Sequence, residues 1–160
     1  MSPKTKKNCI VPLNLPPGDL RLRVDAEGNT LVFDPLRRKD VILTPEEWVR
    51  QHFVAFLTSH LGYPPALMAN EVGVNLNGLS RRCDTVVWNR ADASPLVIIE
   101  YKAPTVEITA AVFDQIARYN MVLRARYLIV SNGLRHFCCR LNPEPHTYTF
   151  LPELPPYSSL

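Results

Sequence analysis

Apolar residues recur at helical spacing in "TPEEWVRQHFVAFLTSHLGYPP", where Val49, Phe53, Phe56, Leu57 and Leu61 form a stripe able to face a core. Thr44 as N-cap, Pro45 in the first turn, Glu47 three residues after the cap and Gly62 past the end punctuate this helix. A second helix is predicted at "TAAVFDQIARYNMVL", with Phe113, Ile116, Ala117 and Asn120 on one side and Gln115 and Tyr119 one turn apart on an adjoining face. Between them lie three strand-like runs, "LMANEVGVNL", "CDTVVW" and "PLVIIEYK". The loop "NRADAS" has hairpin length, so the last two should pair antiparallel. After the second helix, "RYLIVSNGL" ends at an Asn-Gly turn and "RHFCCRL" reads as its partner.

This order of elements predicts an α/β fold with a mixed central sheet flanked by helices. Ahead of it, "LRLRV" and "TLVFDP" around "DAEGN" predict a β-hairpin. The expected organisation is an N-terminal extension with a hairpin over residues 1–43, a principal domain over 44–151 and a Pro-rich tail, extended or frayed, over 152–160.

Composition narrows the class. The 160 residues, 46% hydrophobic, suffice for one substantial core. No run approaches the ~20 apolar residues of a bilayer span, and the start "MSPKTKKNCIVPLNLPPGDL" has no apolar leader core, so the expectation is a soluble, cytoplasmic protein. Cys9, Cys83, Cys138 and Cys139 contain no C-x-x-C pair and are read as reduced thiols. His52, His60, His136 and His146 lack metal-like spacing. The net charge of +3 excludes little by itself.

The ionisable groups of "RRCDTVVWNRADASPLVIIEYKAP" change the picture. Alternation along a strand puts Glu100 and Lys102 on one face, and antiparallel pairing brings Asp84 beside Glu100. Two adjacent carboxylates repel unless a cation compensates. A hard cation such as Mg²⁺ or Mn²⁺ suits such a pair, and Lys102 beside it can orient water and stabilise charge developing on phosphorus. The plainer reading is a salt-bridge cluster at a strand end. In the first helix, Glu47 is explained as the capping acid, whereas helical phase places Glu46 at the edge of the apolar stripe, one turn before Arg50. Arg50 alone can satisfy Glu46, or Glu46 can belong to a site.

Asp84, Glu100-Tyr101-Lys102 and Gln115-x-x-x-Tyr119 together resemble the PD-(D/E)xK nuclease superfamily. More closely, "TPEEWVRQ", "EYKAP", "FDQIARYN" and "VSNGL" are similar to the N-terminal nuclease domain of type I restriction enzyme R subunits, over about residues 44–141. The resemblance implies a restriction-endonuclease-like core in which Asp84, Glu100 and the carbonyl of Tyr101 bind metal and Lys102 is the catalytic lysine. Gln115 and Tyr119 would line the site together with an acid of the first helix, assigned by helical phase to Glu46. Cys83 stands where the superfamily pattern has Pro, and no G-x-x-x-x-G-K-[ST] loop of a translocase motor is present.

The function expected is therefore Mg²⁺-dependent endonucleolytic hydrolysis of DNA, in-line attack by water leaving a 5′-phosphate and a 3′-hydroxyl. Such a unit works alone, as a homodimer, or with other restriction-modification subunits in trans. Arg81, Arg82, Arg90, Arg118, Arg124 and Arg126 are candidate phosphate contacts. The rival expectation is a catalytically silent nucleic-acid-binding or protein-interaction module that keeps the fold.

Overall fold

A computed structural model describes residues 10–143 and 147–160. The expectations for Cys9, His146 and the basic start of the chain lie outside the described residues.

The N-terminal region forms a three-stranded antiparallel sheet, β1 (Leu22–Val24), β2 (Thr30–Asp34) and β3 (Lys39–Ile42), in that order. The expected hairpin is present around Asp25–Asn29, where the Asp25 carboxylate accepts from the backbone and side-chain amides of Asn29 at 2.7 and 3.0 Å. A third strand extends it, because the chain reverses again at Arg38, whose φ is 54°.

Helix α1 (Pro45–Ser59) starts as the sequence predicts, Thr44 Oγ1 accepting from the Glu47 backbone N–H at 3.1 Å. Strands β4 (Met68–Leu76) and β5 (Leu79–Trp88) follow, joined by Asn77-Gly78 with both φ positive, 52° and 78°. This is the two-residue turn whose twist matches that of the flanking strands. Next come β6 (Pro95–Tyr101), α2 (Ala110–Leu123), β7 (Tyr127–Ser131), β8 (His136–Asn142) and β9 (Thr147–Leu151).

Strands β4 to β9 make one six-stranded sheet in sequence order. All pairings are antiparallel except β6 with β7, which are parallel because α2 carries the chain back across the sheet between them. A helix covers each face. Val49, Phe53, Val54 and Leu57 of α1 pack with Val97, Ile99 and Ile129, while Val112, Ile116 and Tyr119 of α2 pack with Val86, Ile98 and Leu128. The fold is thus α/β with a mixed sheet between helices, a restriction-endonuclease-like core.

The tail after Leu151 is not frayed. Tyr157 stacks edge-on against Tyr63 and its amide donates to the Leu61 carbonyl at 2.9 Å, while Tyr63 Oη donates to the Pro155 carbonyl, also at 2.9 Å. Aromatic burial outweighs the absence of a sheet partner there. Cys83, Cys138 and Cys139 are buried free thiols. Among the described residues no helix is long and apolar enough to cross a membrane.

Candidate active site

The β5–β6 ladder pairs Thr85 with Ile99, which puts Asp84 beside Glu100 at the next step. Asp84 Oδ2 accepts from the Tyr101 backbone N–H at 2.8 Å, locking one carboxylate oxygen to the end of β6. Its Oδ1 faces the Arg50 guanidinium at 3.3 Å. Glu100 Oε1 lies 3.4 Å from Lys102 Nζ and accepts from Gln115 Nε2 at 3.2 Å. Gln115 Oε1 in turn accepts from Lys102 Nζ at 3.2 Å, so one turn of α2 closes a Glu–Lys–Gln triangle over the sheet end.

The electrostatics are uneven. Burial raises the Asp84 carboxyl above the ordinary carboxylate range, opposed by the Tyr101 N–H and the Arg50 charge. Glu100 is pushed up to about 8, first by burial and then by the Asp84 charge, with Lys102 working the other way. Among the described residues Glu100 Oε2 is buried with no donor, and the contact with the Asp84 carboxyl adds to the rise. A buried carboxylate oxygen left unsatisfied is costly and unusual.

Structure and sequence agree on Asp84, Glu100, Lys102 and Gln115 as one cluster. Tyr101 contributes its backbone, while its side chain is buried in the α1-side core, with its hydroxyl 3.0 Å from Thr85 Oγ1, whose own proton goes to Asn70 Oδ1. Tyr119, one turn beyond Gln115, is buried with Val112 and Ile116 and lines the cleft beside the cluster. The phase assigned to α1 does not hold. Glu46 is exposed, whereas Glu47 is buried and accepts from Arg37 at 2.6 Å and from Arg50 at 2.8 Å. The buried stripe includes the polar Arg50 and Gln51, which apolar periodicity cannot see, and this turns the inward face toward Glu47. Arg50 partners Glu47, Glu71 and Asp84.

Three residues escaped the sequence reading. Glu71 sits in β4 opposite Asp84 with φ 58°, a left-handed backbone inside a strand, and its carboxylate accepts from Arg50 at 2.6 Å. Arg37 and Asp34 reach the cluster from the N-terminal sheet. The only signal in the sequence was an acid within a strand run, twice: Asp34 at the end of the run in "TLVFDP" and Glu71 midway along "LMANEVGVNL".

Next to the cluster, a cleft of about 790 Å³ runs between the β4–β5 turn and α2. Arg81 and Arg118 line it along with Gln115, and among the described residues no Asp or Glu does. Among the described residues no three His, Cys, Asp or Glu side chains converge as a complete metal cage. What the cluster offers a cation is the Asp84 carboxylate of β5, the Glu100 carboxylate near the end of β6, with one oxygen that has no donor among the described residues, and the nearby main chain. That donor set is all oxygen and incomplete, which suits Mg²⁺ or Mn²⁺ keeping water or substrate oxygens in its remaining positions.

Residues 45–155 match the family model described as type I restriction enzyme R protein N terminus. No curated protein and no solved structure matches the chain.

Proposed function

The chain belongs to the family of type I restriction enzyme R protein N termini, and from that premise we propose that it is a divalent-metal-dependent endonuclease acting on DNA. In this reading Asp84, Glu100 and the Tyr101 carbonyl hold Mg²⁺ or Mn²⁺. The observation that carries it is the buried, unpartnered Oε2 of Glu100 beside the Asp84 carboxylate. A buried carboxylate oxygen without a donor is unusual in a purely structural salt-bridge cluster. A divalent cation supplies a charge that stabilises both carboxylates, acidifies water and neutralises phosphate.

The protein's own groups do the rest. Lys102 Nζ is held between Glu100 and Gln115, where it can donate to a phosphate oxygen or orient the attacking water. Gln115 fixes both Lys102 and Glu100 through its two amide ends. In-line attack on phosphorus breaks the P–O3′ bond, and the leaving 3′ oxygen takes up a proton. Arg81 and Arg118 in the adjoining cleft are suited to phosphates of the same strand, as contacts independent of base sequence. Restriction-modification subunits acting in trans would supply site recognition.

Incubating the purified protein with plasmid, linear duplex and single-stranded DNA in Mg²⁺, Mn²⁺ or EDTA tests this. Nicking or linearisation that requires metal supports the reading, and cleavage insensitive to EDTA contradicts it. Tight DNA binding with no cleavage under any metal would point to a silent binding module instead.

A further inference from the structure

The cluster is wired to a part of the chain outside the family match. Asp34, at the end of β2, is fully buried, a position a carboxylate occupies only when paired. Its carboxylate pairs with the Arg37 guanidinium and accepts from Asn70 Nδ2 at 2.9 Å. Burial acts to raise the Asp34 carboxyl, but these contacts outweigh it and hold it below the ordinary range.

Two routes leave this point, and both end on the same carboxylate. Along the first, Arg37 donates to Glu47 at 2.6 Å, Glu47 accepts from Arg50 at 2.8 Å, and Arg50 faces Asp84 Oδ1 at 3.3 Å. Along the second, Asn70 Oδ1 accepts from Thr85 Oγ1 at 2.6 Å and Thr85 contacts the Tyr101 hydroxyl at 3.0 Å. Tyr101 is the residue whose N–H donates to Asp84 Oδ2 at 2.8 Å. Each oxygen of Asp84 is therefore placed by a chain of contacts that starts in the N-terminal sheet. Arg50 also has buried Glu47 and half-buried Glu71 competing for it, so where it rests depends on how much of Glu47 is already taken by Arg37.

We propose that Asp34 and Arg37 are positioning residues for the metal site, fixing the Asp84 carboxylate through Glu47–Arg50 on one side and Asn70–Thr85–Tyr101 on the other. The N-terminal sheet is then part of the active unit and not an appendage. This rests on the reading of Asp84 and Glu100 as metal ligands, and on no contact between Arg37 or Asp34 and the metal itself. Partners that orient a ligand from behind typically govern metal affinity more than fold.

The test uses the full chain and Mn²⁺ as probe, with affinity read by electron paramagnetic resonance and folding by thermal melting. Removing both charges together, in the double variant Asp34→Asn with Arg37→Met, avoids leaving either one buried alone. The expected result is a cooperative melt with Mn²⁺ affinity weakened about 10–100-fold, and with cleavage recovering toward the wild-type rate at saturating metal. Thr85→Val cuts the second route without touching a charge and should weaken Mn²⁺ on the order of fivefold. It keeps the question open to experiment if the double variant does not fold. Wild-type Mn²⁺ affinity in a folded variant of either kind overturns the inference, whatever happens to the melting temperature. Wild-type protein that binds no Mn²⁺ overturns the metal reading beneath it.

Discussion

Asp84 has a donor on each oxygen, the Tyr101 N–H and the Arg50 guanidinium of α1, whereas Glu100 has Lys102 and Gln115 of α2 crowded onto one oxygen and, among the described residues, no donor on the other. Two carboxylates set side by side just beyond the β5–β6 ladder are thus treated in opposite ways. Asp84 is held in place by an ion-pair network three acids deep. Glu100 is buried, carries a raised pKa and keeps an oxygen in reserve. The difference suggests a division of labour, a fixed ligand and a responsive one, in which the second ionises fully only when a cation arrives.

The largest effect should come from breaking the fixed side. Arg50 is buried and pairs with Glu47, Glu71 and Asp84 together, so Arg50→Met strips Asp84 of its guanidinium and leaves Glu47 to Arg37 and Glu71 to the more distant Arg82. We expect a loss of about 3–5 kcal/mol in urea denaturation, with part of it recovered in millimolar Mg²⁺. Full wild-type stability would mean the network is decorative.

The responsive side should show itself as a pH effect. Burial, and then the Asp84 charge, push Glu100 up to about 8 in the folded protein against an ordinary 4.5, so between those values the folded state holds a proton the unfolded chain has lost. Metal-free stability should accordingly be greatest below the lower value, fall as pH rises toward the upper one, and level off beyond it. Glu100→Gln should remove that slope together with the gain in melting temperature that Mg²⁺ gives the wild type. A slope unchanged in the variant would assign the proton to another group.

Smaller effects separate site from surroundings. Arg81→Ala and Arg118→Ala should each weaken DNA binding without base preference and reduce the slope of log affinity against log salt by about 1. The smallest contrast lies in α1. Glu46→Gln should change stability by no more than about 0.5 kcal/mol and leave cleavage intact, while Glu47→Gln, which weakens both guanidinium contacts, should lower stability and metal affinity together.

The reach of the sequence follows the same division. Glu100, Lys102 and Asp84 were legible because strand alternation and hairpin pairing are local rules with a fixed period, whereas Gln115 came into the site only through the resemblance to type I restriction enzyme R subunits. Helix α1 was found with its cap and its start, yet its inward face was misjudged by about one residue, since Arg50 and Gln51 are buried and polar and weigh against the apolar pattern used to set the phase. The roles of Asp34, Arg37 and Glu71 depend on contacts between residues up to 36 positions apart, and on a left-handed backbone at Glu71 that no propensity favours for a glutamate. The tail over 152–160 looked free because proline-rich segments usually lack partners, but Tyr157 and Leu160 find a surface that only the folded α1 and β5–β6 loop create.

The central claim is that this cluster hydrolyses phosphodiesters, and Lys102→Met tests it most directly when cleavage and DNA affinity are measured on the same preparation. The account predicts a folded protein with wild-type DNA affinity and cleavage slower by a factor on the order of 10²–10³. Cleavage at the wild-type rate in that variant would contradict it.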